Sequence, residues 1–171
     1  VLAMGPWSQF ATTWIGFKIP VYPVRGQLLG LRVPDPQLRA SIYHGGMYLV
    51  YKADGITLAG ATEEHESGFV NRPTAEGRDK IMAAALRLAP SLADAEVVNH
   101  VSGLRPGSGD GFPLIGPVPE WEGLYMVSGH FRSGLLLSAI STRIIADLIS
   151  KGESPLPIER FDPGRFGKAN N

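Results

Sequence analysis

The stretch that decides the fold is GLRPGSGDGFPLIG at residues 103–116, together with GHFRSG at residues 129–134. Each contains one arginine, Arg105 or Arg132, among glycines, with prolines also in the first, and the second leads directly into a long apolar helix. Glycine lets a backbone approach a ligand closely, and a helix N-terminus presents unpaired N–H groups with partial positive charge. An arginine beside such a loop can bind a carboxylate through two parallel hydrogen bonds. The two stretches predict a site where an acidic small molecule meets a flat, electron-accepting cofactor.

The residues on either side predict alternating strands and helices. Gly16 and Gly152 are expected to end helices, Thr74 to cap one, and Pro34-Asp35-Pro36 to form a turn. The apolar residues of the last helix cover most of its circumference, which predicts burial on several sides. The predicted elements are the end of a buried strand at 1–3, a helix at 7–15, an extended segment at 21–31 broken at 25–26, a hairpin of 47–52 and 56–61 around an Asp-Gly turn, a helix at 74–88, strands at 97–103 and 124–128, and a helix at 134–149.

This order of elements favours the α+β class, with a mainly antiparallel sheet and a flanking helix. Within the strand at 97–103, alternation places Val97, Asn99 and Val101 on one face.

Composition excludes several function classes. The chain has 171 residues, 44% hydrophobic and 19% charged, with zero net charge and no cysteine. Zero net charge without a basic run argues against nucleic-acid binding, and the lack of cysteine excludes disulfides and thiolate metal sites. No histidine spacing suggests a metal site. Because Arg143 and Asp147 interrupt the most apolar stretch, we expect no transmembrane segment.

Two further sequence features bear on how complete the chain is. It begins without methionine, and we expect it to be a fragment of a longer protein. It also lacks the Gly-x-Gly-x-x-Gly turn with which a dinucleotide-binding fold holds a pyrophosphate. No signal peptide is recognised and cysteine is absent, so a cytoplasmic location is expected.

Five blocks in order resemble the C-terminal half of the D-amino-acid-oxidase-like flavoenzymes, a family that includes the glycine oxidases. The resemblance covers nearly the whole chain, and the order and spacing of the blocks make it specific for the superfamily. The blocks are VLAMGPWS at 1–8, PVYPVRGQ at 20–27, YLV at 48–50 with GATE at 60–63, the two glycine–arginine stretches, and RFDPGRF at 160–166.

The resemblance implies a division of the chain into three parts. Residues 1–19 would return to the FAD-binding domain, residues 20–103 would form the substrate-binding domain, and residues 104–171 would supply flavin-contacting loops, a strand, a helix and the tail. The N-terminal Rossmann part of the FAD-binding domain would be absent from this chain and would be its partner in the same protein. Assembly into a homo-oligomer is left open.

The resemblance also implies the substrate-binding residues, which are Arg105, Arg132 and Tyr48. Arg105 is expected to bind the substrate carboxylate; the alternative from the local sequence is a surface arginine paired with Asp110 or Glu120. Arg132 would lie near the substrate, or else in water like most loop arginines. Tyr48 would bind the carboxylate with its hydroxyl, and the other reading is a core aromatic, with Tyr43 and Tyr51 as competitors.

FAD is the implied cofactor, and a second set of residues is expected to lie against it. Ser133 could instead only cap the helix, or do both. The positive end of that helix would stabilise the anionic reduced flavin. The cofactor-binding residues are Gly5, His130, Phe131, Arg132, Ser133, Gly134, Leu135 and Leu136.

The implied activity is oxidation of a small amino acid or amine, such as glycine, sarcosine or a D-amino acid. Because the flavin takes a hydride from the substrate α-carbon, no protein base is required, and His130 is not assigned as a catalytic base. Glu63 stands where an apolar residue lines the pocket in glycine oxidase, so it would disfavour an acidic substrate side chain. Two alternatives are a dehydrogenase of the same fold that reduces a quinone or a protein, and a non-catalytic binding module without flavin.

Overall fold

The structure is a computed structural model that describes residues 1–33 and 39–167. The turn expected at Pro34-Asp35-Pro36 lies outside the described residues. The α-helices are α1 (Thr12–Ile15), α2 (Ala75–Leu88) and α3 (Gly134–Lys151). The strands are β1 (Val21–Arg32), β2 (Ile42–His44), β3 (Met47–Tyr51), β4 (Ile56–Gly60), β5 (Glu96–Ser108), β6 (Leu114–Pro117) and β7 (Tyr125–Ser128).

The strands form a five-stranded sheet in the order β2-β3-β4-β1-β5 and a two-stranded sheet of β6 and β7. The strand pairs β1–β4, β2–β3, β3–β4 and β6–β7 are antiparallel. Outside these strands, Leu2 forms an isolated parallel bridge to Met126. The predicted α+β class with a mainly antiparallel sheet is confirmed.

The chain divides into two compact units, here called the sheet unit (Arg25–Leu104) and the terminal unit (Val1–Val24 with Arg105–Asn171). One boundary between the units falls inside β1 and the other inside β5, and neither strand is interrupted there. The functional roles predicted for residues 1–19, 20–103 and 104–171 stay predictions.

The sheet unit has one hydrophobic core, between α2 and one face of the sheet. Apolar residues recur at helical spacing in α2, and its buried face carries Ile81, Ala84 and Ala85. They pack in a cluster with alternate residues of the strands, because successive strand side chains point to opposite faces. The cluster's fully buried large side chains are Leu29, Leu31, Leu49, Ile81 and Leu92.

A fully buried glutamine, Gln27, fixes how α2 meets the sheet. Its Nε2 donates to Glu64 Oε1 at 2.7 Å and to Thr74 Oγ1 at 3.0 Å. Its Oε1 accepts from the Thr74 amide at 2.8 Å and lies 2.9 Å from His100 Nε2. A side-chain amide has two donor hydrogens and two acceptor lone pairs, so Gln27 is fully satisfied. A Cβ at Gly77 would lie within 2.5 Å of this amide, so glycine is required there.

The terminal unit has two smaller apolar clusters. In the first, Leu114 and Met126 of the two-stranded sheet pack with Ala11, Ile19 and Val21. In the second, three residues of α3, namely Ile144, Ile145 and Leu148, pack on Ile115. These contacts cover one side of α3.

Several predicted local features are present. The hairpin around the Asp-Gly turn is formed by β3 and β4. Thr74 caps α2, since its Oγ1 accepts from the Gly77 amide at 3.1 Å. Gly16 and Gly152 end α1 and α3 with left-handed φ values of 71° and 78°.

The glycine-rich stretch around Arg105 is strand and not loop, which corrects the prediction. β5 continues to Ser108, five residues beyond the predicted end, and the Gly109 amide still donates to the Pro20 carbonyl at 3.0 Å. The glycines mark close contacts: a Cβ at Gly107 would lie 2.7 Å from the Tyr22 ring. Glycine within a strand often marks such an approach.

Other predictions were wrong in detail. Residues 7–15 are not one helix, because a 3₁₀ helix over Gly5–Ala11 precedes α1. β1 is not broken at 25–26, and the short strands β2 and β6 were not predicted. α3 is not buried on several sides: Leu135 and Leu136 are 91% and 83% exposed. Periodicity shows which faces of a helix are apolar, but not whether a neighbour covers each face.

By length and composition alone, the helix over Phe131–Lys151 could cross a membrane. This is weak evidence, because core helices of soluble proteins meet the same criterion. The expectation that the stretch does not span a membrane stays a prediction.

The cap of α2 gives a stability prediction. Thr74→Ala removes the acceptor for both the Gly77 amide and Gln27 Nε2, so it should cost at least about 1 kcal/mol in the intact protein. Thr74→Ser keeps the hydroxyl and should retain most of the stability. Urea unfolding midpoints measure the difference, and equal midpoints for Thr74→Ala and the unchanged protein would contradict the assigned cap.

Candidate functional site

Residues 128–136, here called the helix-entrance segment, connect β7 to α3 and contain most of the predicted cofactor residues. Two backbone features shape the segment. Gly129 has φ of 77°, and Phe131 has φ of 49° although it is not a glycine. Positive φ is uncommon for a large side chain and costs energy, and such residues cluster at functional sites. The conformation of Phe131 therefore marks the segment as a candidate site.

Gly5, from the opposite end of the chain, is held against this segment. Ser8 Oγ donates to Ser128 Oγ at 2.9 Å, and Ser128 Oγ donates in turn to the Gly5 carbonyl at 2.9 Å. Both serines are buried, so the two bonds are shielded from water and strengthened by the low local dielectric. The structure thus brings Gly5 together with the predicted residues at 130–136.

The start of α3 combines the positive end of a helix dipole with exposed apolar side chains. Ser133 occupies the cap position, but its side chain makes no cap hydrogen bond, so the predicted capping role is not present. A 3₁₀ helix over Phe131–Ser133 leads directly into α3, and the Ser133 amide donates to the His130 carbonyl at 2.9 Å. Leu135 and Leu136 are exposed in the first turn of α3. This surface offers positive dipole potential and apolar contact.

His130 is tied to α3 by its side chain. Its Nε2 lies 2.9 Å from Ser141 Oγ, two turns along the helix. Burial lowers the pKa of the half-buried imidazole, because a low dielectric disfavours the charged form. Both residues line a largely apolar cavity of about 390 Å³, together with side chains that include Phe112, Leu137 and Ile140. His130 is therefore held as a neutral, hydrogen-bonded ring.

Arg132 is exposed next to the strained residue. Its guanidinium carbon lies 5.6 Å from the Phe131 ring centroid, within the range of a cation–π contact. The side chain lies at the surface of the helix-entrance segment, and its predicted place near the substrate stays a prediction.

One buried oxygen in the terminal unit lacks a partner. Among the described residues, Ser108 Oγ is buried and has no hydrogen-bond partner. Ser108 lies close to Gly129: a Cβ added to Gly129 would be 3.2 Å from the Cβ of Ser108. Such an atom in a native structure calls for an explanation, and an unobserved ligand or water is one.

Arg105 lies on β5 with glycines two residues away on either side. Because alternate residues share a strand face, Gly103 and Gly107 flank the half-buried arginine on its own face. Asp110, the alternative partner of Arg105, instead accepts two hydrogen bonds from Arg165, one from Nε at 2.8 Å and one from Nη2 at 3.1 Å. The Arg165 hydrogen bond holds the pKa of Asp110 below its ordinary value.

Tyr48 lies on β3 in the sheet unit, opposite both Gly60 and Tyr43. Its Cζ and hydroxyl lie 3.3 Å from where a Cβ on Gly60 would be, so the ring lies across that glycine. The competing Tyr43 is largely exposed on the short strand β2, and Tyr51 is half-buried at the end of β3. Tyr48 and Arg105 belong to different units, and their joint role stays a prediction.

The two neighbouring carboxylates after β4 have separate partners. Glu63 Oε1 lies 3.0 Å from His65 Nε2. Glu64 binds Arg25 Nε at 2.7 Å and also accepts from Gln27 and Thr62. Burial raises the pKa of Glu64, but these hydrogen bonds outweigh it and the net shift is downward. Glu64 is therefore a structural anion of the sheet unit.

Two residues that contact predicted site residues or their neighbours were not singled out from the sequence, Ser141 and Tyr22. Ser141 lies in an apolar helix, and nothing in its spacing indicates a histidine partner eleven residues upstream. Tyr22 packs on Gly107, but a glycine in a stretch rich in glycine and proline is typical of a loop and gives no signal of that contact. Among residues 1–33 and 39–167 there is no cluster of three or more His, Asp or Glu side chains that could hold a metal ion.

Comparison with known proteins shows the family to which the chain belongs. Residues 1–148 match the family model of the DAO group, described as FAD dependent oxidoreductase. The glycine oxidase of Pseudomonas aeruginosa is 41% identical over 169 residues, which is 99% of this chain and 45% of that protein. The chain therefore spans less than half the length of the relatives it matches.

Two solved structures are similar to nearly the whole chain. The glycine oxidase of Geobacillus kaustophilus has a TM-score of 0.84 at 31% identity and covers 99% of this chain and 45% of its own. The iminodiacetate oxidase of Chelativorans sp. BNC1 has a TM-score of 0.85, also at 31% identity, and covers 93% of this chain and 44% of its own.

The environment of His130 predicts a pH dependence of stability. Its pKa is lowered on folding, so below about pH 6.5, the unfolded value, the unfolded chain binds more protons. The stability that the neutral ring contributes is full above that pH and is lost as pH falls through the lower folded value.

We expect His130→Gln in the intact protein to lose less stability than the unchanged protein between pH 7 and about pH 5. Urea unfolding at a series of pH values measures this. Ser141→Ala keeps the imidazole in place and should keep the sign of the dependence. Parallel pH curves for His130→Gln and the unchanged protein would show that another group is responsible.

Proposed function

The chain belongs to the DAO family of FAD-dependent oxidoreductases, and we propose that the protein of which it forms part oxidises a small amino acid or amine with FAD. This chain would supply the substrate-binding residues and one wall of the flavin site. The Rossmann part that grips the pyrophosphate would come from the N-terminal portion of the same protein. The observation that carries the proposal is the helix-entrance segment, with its uncapped helix end and exposed leucines.

The residues of the terminal unit fit a flavin ring. A flavin is flat and apolar on its faces but carries hydrogen-bonding atoms along its edge. Leu135 and Leu136 offer apolar contact, while the start of α3 offers positive dipole potential. Gly5 lets a second backbone segment approach, and Ser108 Oγ is a buried polar atom without a partner in the described structure.

FAD, when bound, would supply the acceptor for the hydride that leaves the substrate α-carbon. The chain's own residues would position the substrate. Arg105 would hold its carboxylate, and Arg132 would add positive charge nearby. Tyr48, in the sheet unit, stays a predicted substrate-binding residue. The neutral ring of His130, bonded to Ser141, would fix the backbone that lies along the cofactor. Catalysis by this chain would then consist mainly of orientation and electrostatics.

The substrate we propose is a small neutral amino acid or an N-methylated one such as sarcosine. Similarity to glycine oxidases and to an iminodiacetate oxidase supports a carboxylate-bearing amine. The product imine would hydrolyse to the oxo acid. The cytoplasmic location and the oligomeric state stay predictions.

The intact protein, including the sequence upstream of this chain, tests the proposal. It should be yellow, with a flavin absorption band, and should produce peroxide when given glycine or sarcosine. A protein that reduces a dye with these substrates but makes no peroxide would be a dehydrogenase with another acceptor. A colourless protein that takes up no FAD would contradict the proposal and favour a binding module.

Arg105 gives a sharper prediction. In the intact enzyme, Arg105→Ala removes a charge-assisted contact to the substrate carboxylate, which should cost about 2–4 kcal/mol. Amino-acid binding should weaken on the order of thirtyfold to several hundredfold, with flavin content unchanged. Arg87→Ala removes an exposed arginine from the last turn of α2 and should leave binding unchanged. Steady-state kinetics and flavin absorbance measure both, and unchanged kinetics for Arg105→Ala would remove it from the site.

A further inference from the structure

Tyr22 and Gly107 face each other across β1 and β5 within the terminal unit. The Gly109 amide donates to the Pro20 carbonyl at 3.0 Å. Gly107 precedes Gly109 by two residues, and it contacts Tyr22, which follows Pro20 by two residues. The strands are therefore antiparallel here, and the same register places Val24 opposite Arg105.

The ring of Tyr22 occupies the space where a side chain at position 107 would be. A Cβ there would lie 2.7 Å from Tyr22 Cε2 and 2.9 Å from Cζ, much closer than real atoms approach. It would also lie 3.1 Å from a methyl group of Val24, which is fully buried. The aromatic ring thus rests on bare backbone, and Gly107 cannot be replaced without moving it.

This packing places the ring diagonally next to Arg105. Arg105 and Gly107 share one face of β5, and Tyr22 is the diagonal neighbour of Arg105 across the strand pair. Diagonal neighbours are about 7–8 Å apart at their backbones, within reach of aromatic and long side chains. Tyr22 remains 38% exposed, so part of the ring is turned outward.

We propose that Tyr22 is a specificity-determining residue of the substrate site, an aromatic wall that limits the size of the group beside the carboxylate. The inference rests on the proposed function, in which Arg105 binds that carboxylate. The ring has no room to move toward β5, because it already lies against the Gly107 backbone. A substrate held by the guanidinium therefore meets a fixed surface, and a bulky α-substituent collides with it.

The test uses the intact, FAD-loaded protein and two carboxylates without an amino group, acetate and 3-methylbutanoate. Binding is followed by the change in flavin absorbance, which needs no turnover. The ratio of kcat/KM for glycine to that for D-leucine is measured in parallel. Tyr22→Ala should improve the relative binding of 3-methylbutanoate, and the relative use of D-leucine, by at least about tenfold.

Two further variants separate the ring from its hydroxyl and from general damage. Tyr22→Phe keeps the wall and should leave both ratios unchanged. Gly107→Ala should push the ring outward and weaken both carboxylates, and adding Tyr22→Ala to it should restore acetate binding. Ile149→Ala, which removes an exposed apolar side chain from the end of α3, is the matched control and should change neither ratio.

The outcomes distinguish the two levels of proposal. If the protein binds no FAD, or oxidises no amine, the proposed function fails. If it oxidises glycine and loses binding in Arg105→Ala, but Tyr22→Ala leaves both size ratios unchanged, only the role of Tyr22 is overturned. A changed ratio in Tyr22→Phe would overturn the wall in favour of a role for the hydroxyl.

Discussion

The arrangement of the sheet unit depends on the complete hydrogen bonding of one buried amide, that of Gln27. A buried polar group without partners costs about 1–3 kcal/mol, so each of its four bonds constrains the element that supplies it. Those elements are the loop after β4, the start of α2 and the strand that carries His100. Because Gly77 also leaves no room for displacement, the amide fixes the position of α2 over the sheet.

The terminal unit uses a similar device on a smaller scale. The buried Ser8 donates a hydrogen bond to Ser128, which donates in turn to the Gly5 carbonyl. His130 is hydrogen-bonded to Ser141. Neither pair uses a charged group, so these contacts add no charge of their own to the segment before α3. A site built this way leaves the electrostatics to Arg132 and to the helix end, which are the groups we propose act on the ligands.

The sequence was sufficient to predict features that depend on local chemistry. The cap by Thr74, the helix-ending glycines and the Asp-Gly hairpin each follow from the conformational preference of one or two residues. The two arginine stretches were also found, because glycine and proline density is visible in sequence. What could not be predicted depends on tertiary contact. The strand character of the residues around Arg105 comes from pairing with β1, and the same glycines read as a loop when no partner is known.

The same reasoning explains why the sequence singled out Arg105 as a candidate and did not single out Tyr22. The charge of an arginine is known from its residue type alone, whereas a tyrosine on a strand is common in any hydrophobic core. Only the absence of a side chain at Gly107 distinguishes Tyr22, and the meaning of that absence depends on the strand register.

The exposed start of α3 sets two different requirements for a ligand. The positive end of the helix dipole favours an electron-rich group, while exposing Leu135 and Leu136 to water costs about 25 cal/mol per Å² of apolar area. A polar ligand would satisfy only the first requirement and an apolar surface only the second. A flat ring with apolar faces and a hydrogen-bonding edge would satisfy both, which is the physical argument for the flavin that we propose. On that proposal, the positive φ of Phe131 is the conformational cost of presenting the helix end and the leucines to one ligand.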